Sequence, residues 1–99
     1  LGPRVVAARE AFEEAGLKGR VRKRPIGAYH YAKRLSPSQA LACRVIVFLM
    51  EVRGELDDWP ERKARVRRWL PAEAAAALVE EPDLAELISA LPDLLGEEG

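Results

Sequence analysis

One cysteine, one histidine and one methionine stand among the 99 residues of this chain. A lone Cys43 excludes an internal disulfide and a cysteine-built zinc cluster, and it makes a reducing cytoplasm the expected compartment. His30, single and set between Tyr29 and Tyr31, reads as a structural or surface residue rather than a catalytic one. No apolar run approaches the roughly 20 residues of a membrane span, and nothing resembles a secretory signal. Internal repeats and low-complexity linkers are also missing. What remains, 48% hydrophobic and 32% charged, is the composition of a globular domain rather than a disordered segment.

Charge of one sign is missing from two stretches. Between Ala15 and Met50 there is no acidic residue, against Lys18, Arg20, Arg22, Lys23, Arg24, Lys33, Arg34 and Arg44. From Pro71 onward there is no basic one. The formal net charge of zero therefore hides a segregation that suits an anionic ligand, set off from an acidic tail. Basic residues interleaved with Tyr29 and Tyr31 also fit a nucleic-acid surface, but the neutral balance and the acidic last third argue against that partner.

What is present is concentrated in Arg9-Glu10-Ala11-Phe12-Glu13-Glu14-Ala15-Gly16-Leu17. At about 100° per residue, Glu10, Glu13 and Glu14 share one helix face, with Val5, Ala8, Phe12 and Ala15 on the other. Gly2 suits the N-cap, Pro3 the first helical position and Gly16 the left-handed stop. Three like charges at this spacing destabilise a bare helix, and a cation in front of them removes the penalty. Hard carboxylate oxygens suit Mg²⁺ or Mn²⁺. The plainer alternative is a solvated, glutamate-rich helix face.

Arg-Glu-x-x-Glu-Glu-x-Gly-aliphatic resembles the second half of the Nudix box, whose full form is Gly-x5-Glu-x7-Arg-Glu-aliphatic-x-Glu-Glu-x-Gly-aliphatic. With Arg9 on the box arginine, the first box glutamate falls on Leu1, and Ala11 replaces a larger aliphatic. Gly19-Arg20-Val21 with Pro25-Ile26-Gly27, Trp59-Pro60-Glu61, and Arg68-Trp69 ahead of Ala72-Glu73-Ala74 resemble bacterial relatives of the diphosphoinositol polyphosphate phosphohydrolases. The resemblance runs from about Pro3 to Leu78. It implies an α+β fold, an α/β/α sandwich with a mixed sheet between helices. Residues 1–99 would be the C-terminal two-thirds of a single Nudix domain, with residues 82–99 as a C-terminal helix and acidic tail. Family strands that precede the box would then lie before Leu1. A sheet without them exposes edges and apolar surface, which predicts an edge-paired or strand-exchanged homodimer.

The resemblance also implies a chemistry. Glu10, Glu13 and Glu14 would hold one to three Mg²⁺ or Mn²⁺ ions, which lower the pKa of a bound water for attack at phosphorus. Glu13 and Glu14 are then catalytic, with Arg9 orienting a glutamate by an ion pair one turn away. Glu61 is a candidate general base, and a solvated loop glutamate is its alternative reading. Arg20, Arg22, Arg24, Lys33 and Arg34 are candidate substrate contacts, although only about half the residues of a strand face one side. Arg62, Lys63 and Arg65 form a second cationic source. The substrate would be a phosphate-rich small molecule: a nucleoside diphosphate derivative, a dinucleoside polyphosphate or a diphosphoinositol polyphosphate. The alternative, suggested by Leu1 at a glutamate position, is a catalytically degenerate domain that binds a nucleotide or a partner.

Elsewhere the pattern predicts a strand over 20–24 ended by Pro25. A hairpin follows, of 26–33 with 43–52, joined by a loop over 34–40. Val45 to Met50 reads as a strand buried on both faces. Residues 54–60 read as a loop, 66–70 as a short strand, and helices begin at Pro71 and about Pro82, the latter broken at Pro92.

Overall fold

A computed structural model describes residues 2–98. Leu1, aligned above to the first box glutamate, and Gly99 lie outside them. The described elements run α1 (Pro3–Ala15), β1 (Leu17–Val21), β2 (Gly27–Ser36), β3 (Gln39–Val47), β4 (Met50–Glu55), α2 (Ala72–Leu78), α3 (Pro82–Ser89) and α4 (Leu91–Glu98). They form two compact units, one of Leu1–Ile26 with Phe48–Arg68, the other of Gly27–Val47 with Trp69–Gly99.

In the first unit, α1 starts where the sequence punctuates it. Gly2 is extended, Pro3 supplies the fixed φ of the first turn, and Gly16 ends the helix at φ 64° and ψ 34°. The Arg4 Nε–H donates to the Val21 carbonyl at 2.7 Å, tying the start of the helix to the far end of β1. β1 pairs antiparallel with β4, from Leu17 opposite Glu55 to Val21 opposite Met50, with an irregularity at Lys18/Gly19. Gly19 is needed there, because a Cβ would run into the Glu51 carbonyl oxygen. Val21 is the buried apolar side chain of this unit. The apolar face of α1 is only partly covered. Ala8 and Phe12 share a cavity of ≈ 210 Å³ with Leu17, Lys18, Gly19 and Met50.

The second unit is built on a β2–β3 hairpin, in register from Gly27 opposite Val47 to Ser36 opposite Gln39. The expected loop over 34–40 contracts to Pro37-Ser38, whose turn is braced by Arg34 Nη1–H donating to the Pro37 carbonyl at 3.2 Å. Helix α3 packs on β2 and α2 packs on α3, with Ala76 buried. The Leu87 side chain lies over Gly27. At the start of α3, Asp83 Oδ2 accepts from the His30 backbone N–H at 2.9 Å and meets His30 Nδ1 at 3.0 Å. Ala90 separates α3 from α4, Pro92 sits in the first turn of α4, and the acidic end is helical to Glu98.

The α+β class stands. Among the described residues every strand pairing is antiparallel, in two two-stranded ladders. These four strands alone do not make the expected mixed sheet. A parallel pair needs a long crossover, whereas β2 and β3 are joined by a two-residue turn. Four local expectations change. The strand expected over 20–24 is instead Leu17–Val21. The run 43–52 is two strands: it breaks at Phe48-Leu49, and Met50–Glu55 leaves the hairpin to pair with β1. Val45 to Met50 is half-buried or exposed rather than buried on both faces. Residues 66–70 form no strand, and Val66 is 88% exposed.

Candidate functional site

The last turn of an α-helix leaves carbonyls without intrahelical partners, and a helix end must find them elsewhere. In α1 these carbonyls belong to the residues that carry the carboxylates. The Gly16 N–H closes back onto the carbonyls of Ala11 and Phe12. The Glu13 carbonyl accepts from the Glu61 backbone N–H at 2.9 Å. The Glu14 carbonyl accepts from Trp59 Nε1–H at 3.0 Å, and the Ala15 carbonyl from Arg67 Nη1–H at 2.8 Å. The Gly16 carbonyl takes the Leu56 N–H at 2.8 Å. Segment 56–67, which has no strand or helix of its own, is thus the cap of α1.

Arg67 holds this cap at several points. Its Nη1 also donates to the Leu56 carbonyl at 3.0 Å, its Nε lies 3.4 Å from Glu55 Oε1, and its guanidinium sits 4.6 Å from the Trp59 ring centre. A largely buried arginine stacked on an indole and donating to carbonyls is a strong local fastener. Gly16 must be glycine on two counts. Its φ is positive, and a Cβ would come within 2.6 Å of Trp59 Cε3.

The carboxylates themselves sit on this fixed turn. Glu10 is exposed; Glu13 and Glu14 are half-buried. The Arg65 Nη2–H donates to Glu14 Oε1 at 2.7 Å, and its Nε–H to Glu61 Oε1 at 3.2 Å. One guanidinium therefore joins two carboxylates from opposite ends of the unit's sequence. The expected pair of Arg9 with Glu13 is not among the ion pairs of the described residues. Arg65 is the guanidinium that meets the carboxylate face. Glu10, Glu13 and Glu14 have suitable oxygens for Mg²⁺ or Mn²⁺. Yet among the described residues no three His, Cys, Asp or Glu side chains converge so as to hold a metal ion. As they stand, they do not form a metal cage, and Glu14 already has a cationic partner.

The candidate substrate contacts do not gather in one unit. Arg20 stands in β1 opposite Glu51, and Arg22 joins the first unit through its backbone N–H to the Leu49 carbonyl at 2.9 Å. Arg24 is exposed beyond β1. Lys33 and Arg34 belong to β2 in the second unit, and Arg34 is engaged with its own turn. The cations that do reach the carboxylate turn, Arg65 and Arg67, come from the loop. Arg65 was legible as part of a basic cluster; Arg67 carried no signal separating it from Arg68. Trp59 has a structural part here, with its indole N–H on the helix end.

A helix of punctuated carboxylates, capped by a distant loop and paired with antiparallel strands, defines an α+β protein with a Nudix-type motif. Comparison with known proteins agrees. Over 98 residues, 94% of this chain and 48% of the relative, it is 35% identical to "Nudix hydrolase 13, mitochondrial" of Arabidopsis thaliana. Over 75 residues, 73% of this chain and 37% of the relative, it is 44% identical to "Nudix hydrolase 12, mitochondrial" of the same plant. "Nudix hydrolase 16, mitochondrial" matches at 34% over 84 residues, 80% of this chain and 45% of the relative. The chain belongs to the Nudix superfamily. It spans less than half the length of these curated relatives, which are plant rather than bacterial proteins. No protein-family profile and no solved structure matches it. The names also overturn the expected cytoplasm, since the relatives are named mitochondrial. A single cysteine excludes an internal disulfide, but it does not name a compartment. Among the described residues no helix is long and apolar enough to cross a membrane.

Proposed function

We propose that this chain carries the carboxylate helix of a hydrolase that cleaves a diphosphate linkage. Water adds to phosphorus, the bridging P–O bond breaks, and two phosphate-bearing products leave. The observation that carries this reading is the turn Glu13-Glu14, fixed by segment 56–67 in a chain of the Nudix superfamily. The cap fixes the backbone that carries these carboxylates, and charge held in place before the reaction dominates catalysis of this kind. Glu14 is the first candidate for a catalytic carboxylate, with Glu13 and Glu10 beside it. Glu61, drawn to the same guanidinium, is a candidate for accepting the proton of the attacking water. The substrate class is a phosphate-rich small molecule: a nucleoside diphosphate derivative, a dinucleoside polyphosphate or a diphosphoinositol polyphosphate. Arg20, Arg22 and Arg24 are candidates to contact it, as are Lys33 and Arg34.

A second reading, a degenerate domain that binds without hydrolysis, is favoured by one observation: the guanidinium on Glu14. The test is hydrolysis over a panel of diphosphate compounds with and without Mg²⁺ or Mn²⁺, beside Glu14→Gln. Turnover that falls by about a hundredfold or more in the variant supports a diphosphate hydrolase. A folded protein that turns over nothing, with metal or without, leaves the binding domain.

A further inference from the structure

The edge of a sheet presents unpaired backbone donors and acceptors, and proteins block it with charge, proline, irregular pairing or a covering element. In the second unit α3 covers the outer edge of β2, where the His30 backbone N–H donates to Asp83 Oδ2 at 2.9 Å. In the first, β1 carries Lys18 and Arg20 with an irregularity at Lys18/Gly19, and β4 alternates Glu51, Arg53 and Glu55. β3 has none of these protections. Among the described residues it pairs with β2 alone, and no turn or loop backbone bond ends on Gln39–Val47. The strand has no proline or glycine, and Arg44 is its single charge. Leu41 and Ile46 stand open to solvent.

His30 fixes the direction of the edge groups. Its N–H leaves the hairpin for Asp83, so alternation along the ladder turns the N–H and C=O of the opposite residue, Arg44, outward. Those of Ala40, Ala42 and Ile46 follow. A second copy of the strand, laid antiparallel on this edge with a two-fold axis at Cys43, meets the same pattern. Arg44 exchanges both bonds with the partner's Ala42, and Ile46 with the partner's Ala40. Leu41 faces the partner's Val45. Cys43 is the middle of Gln39–Val47, so this register pairs the whole strand. An axis at Arg44 sets like charges opposite each other, and one at Ala42 runs Ile46 and Val47 into the turn at Ser38 and Pro37. We propose that the free edge of β3 is a homodimer interface, in which Gln39–Val47 pairs antiparallel with the same strand of a second copy about a two-fold axis at Cys43. The interface is independent of the chemistry at the carboxylate turn.

The experiment is sedimentation of the full chain across a concentration series, beside Ala42→Lys, Ala42→Glu and Ala32→Lys, each checked for folding by circular dichroism. Ala42 is exposed, and across the axis it faces the arginine of the other copy. Ala42→Lys should weaken the dimer roughly fivefold or more and Ala42→Glu should strengthen it as much, because each change acts twice. Ala32→Lys places the same charge opposite Ala42 in the hairpin, one strand back from the edge, and should change little. In the dimer the two Cys43 residues form a close, non-hydrogen-bonded pair about 4.5 Å apart at Cα, within disulfide reach. Diamide, which takes up the electrons and protons of two thiols, should join the dimer there. A monomer at every concentration, the result if another segment of this chain covers the edge, overturns the proposal. So does a dimer indifferent to the sign of charge at position 42, equally weakened by Ala32→Lys, or not joined by diamide. If Ala42→Lys fails to fold, Ala42→Glu and the diamide product decide.

Discussion

Gly16 shows how narrowly one residue is constrained. It must adopt a left-handed backbone so that its N–H can close the helix, and the Trp59 indole occupies the space where a side chain would begin. Gly16→Ala adds strain at positive φ and an overpacked contact, and the two together are expected to cost about 2–3 kcal/mol. Urea unfolding followed at the tryptophans measures this; a loss below about 0.5 kcal/mol would remove the steric argument. The glycine was legible because its αL role is local, set by the helix that precedes it. Arg67 was not. It sits in Arg65-Val66-Arg67-Arg68, where charge alone does not distinguish a fastener from a solvated arginine. Two of its carbonyl partners, Ala15 and Gly16, lie 52 and 51 residues away, and the third, Leu56, lies 11 away. Trp59 hid for the same reason: its partner is 45 residues distant.

At the scale of elements, α3 is clasped to β2 by Asp83, whose carboxyl is held below the ordinary carboxylate range. The hydrogen bond with the His30 side chain is the largest cause, with the His30 and Leu84 backbone N–H groups adding to it against a desolvation penalty. A carboxyl whose pKa is lower folded than unfolded stabilises above its unfolded pKa, and the effect disappears as pH falls through the lowered value. The thermal midpoints of the unaltered chain and Asp83→Asn should therefore differ at neutral pH and converge under acid. Equal midpoints at neutral pH would show that the clasp contributes nothing. The strands illustrate where periodicity helps and where it stops. The extended stretch holding Tyr29 and Tyr31 was legible as one arm of the hairpin. The unbroken apolar run from Val45 to Met50 concealed a change of partner, because hydrophobicity records burial and not which neighbour provides it.

For the whole molecule, each unit leaves large apolar side chains open. Val5 is 51% and Val66 88% exposed in the first, and Leu35 57%, Trp69 60% and Leu78 64% in the second. Large apolar side chains left open in this number favour association. The isolated chain is expected to self-associate with rising concentration, more so in sulfate, which strengthens burial. Sedimentation across a concentration series checks this, and a constant monomer mass at all concentrations would contradict it. The α+β class followed from the resemblance and from the order of helix and strand patterns. The arrangement of the four strands into two ladders did not, because pairing is decided by contacts far apart in sequence.

The cap of α1 has a consequence in time. During synthesis the carboxylate helix leaves the ribosome well before the indole that meets Glu14, 45 residues later, and the guanidinium that meets Ala15, 52 residues later. Until then its final carbonyls face water, and an isolated helix of 13 residues is marginal on its own. The turn that bears Glu13 and Glu14 is thus assembled late, after the loop closes over it. A chain halted before Arg67 would contain all three glutamates of the motif without their fixed geometry.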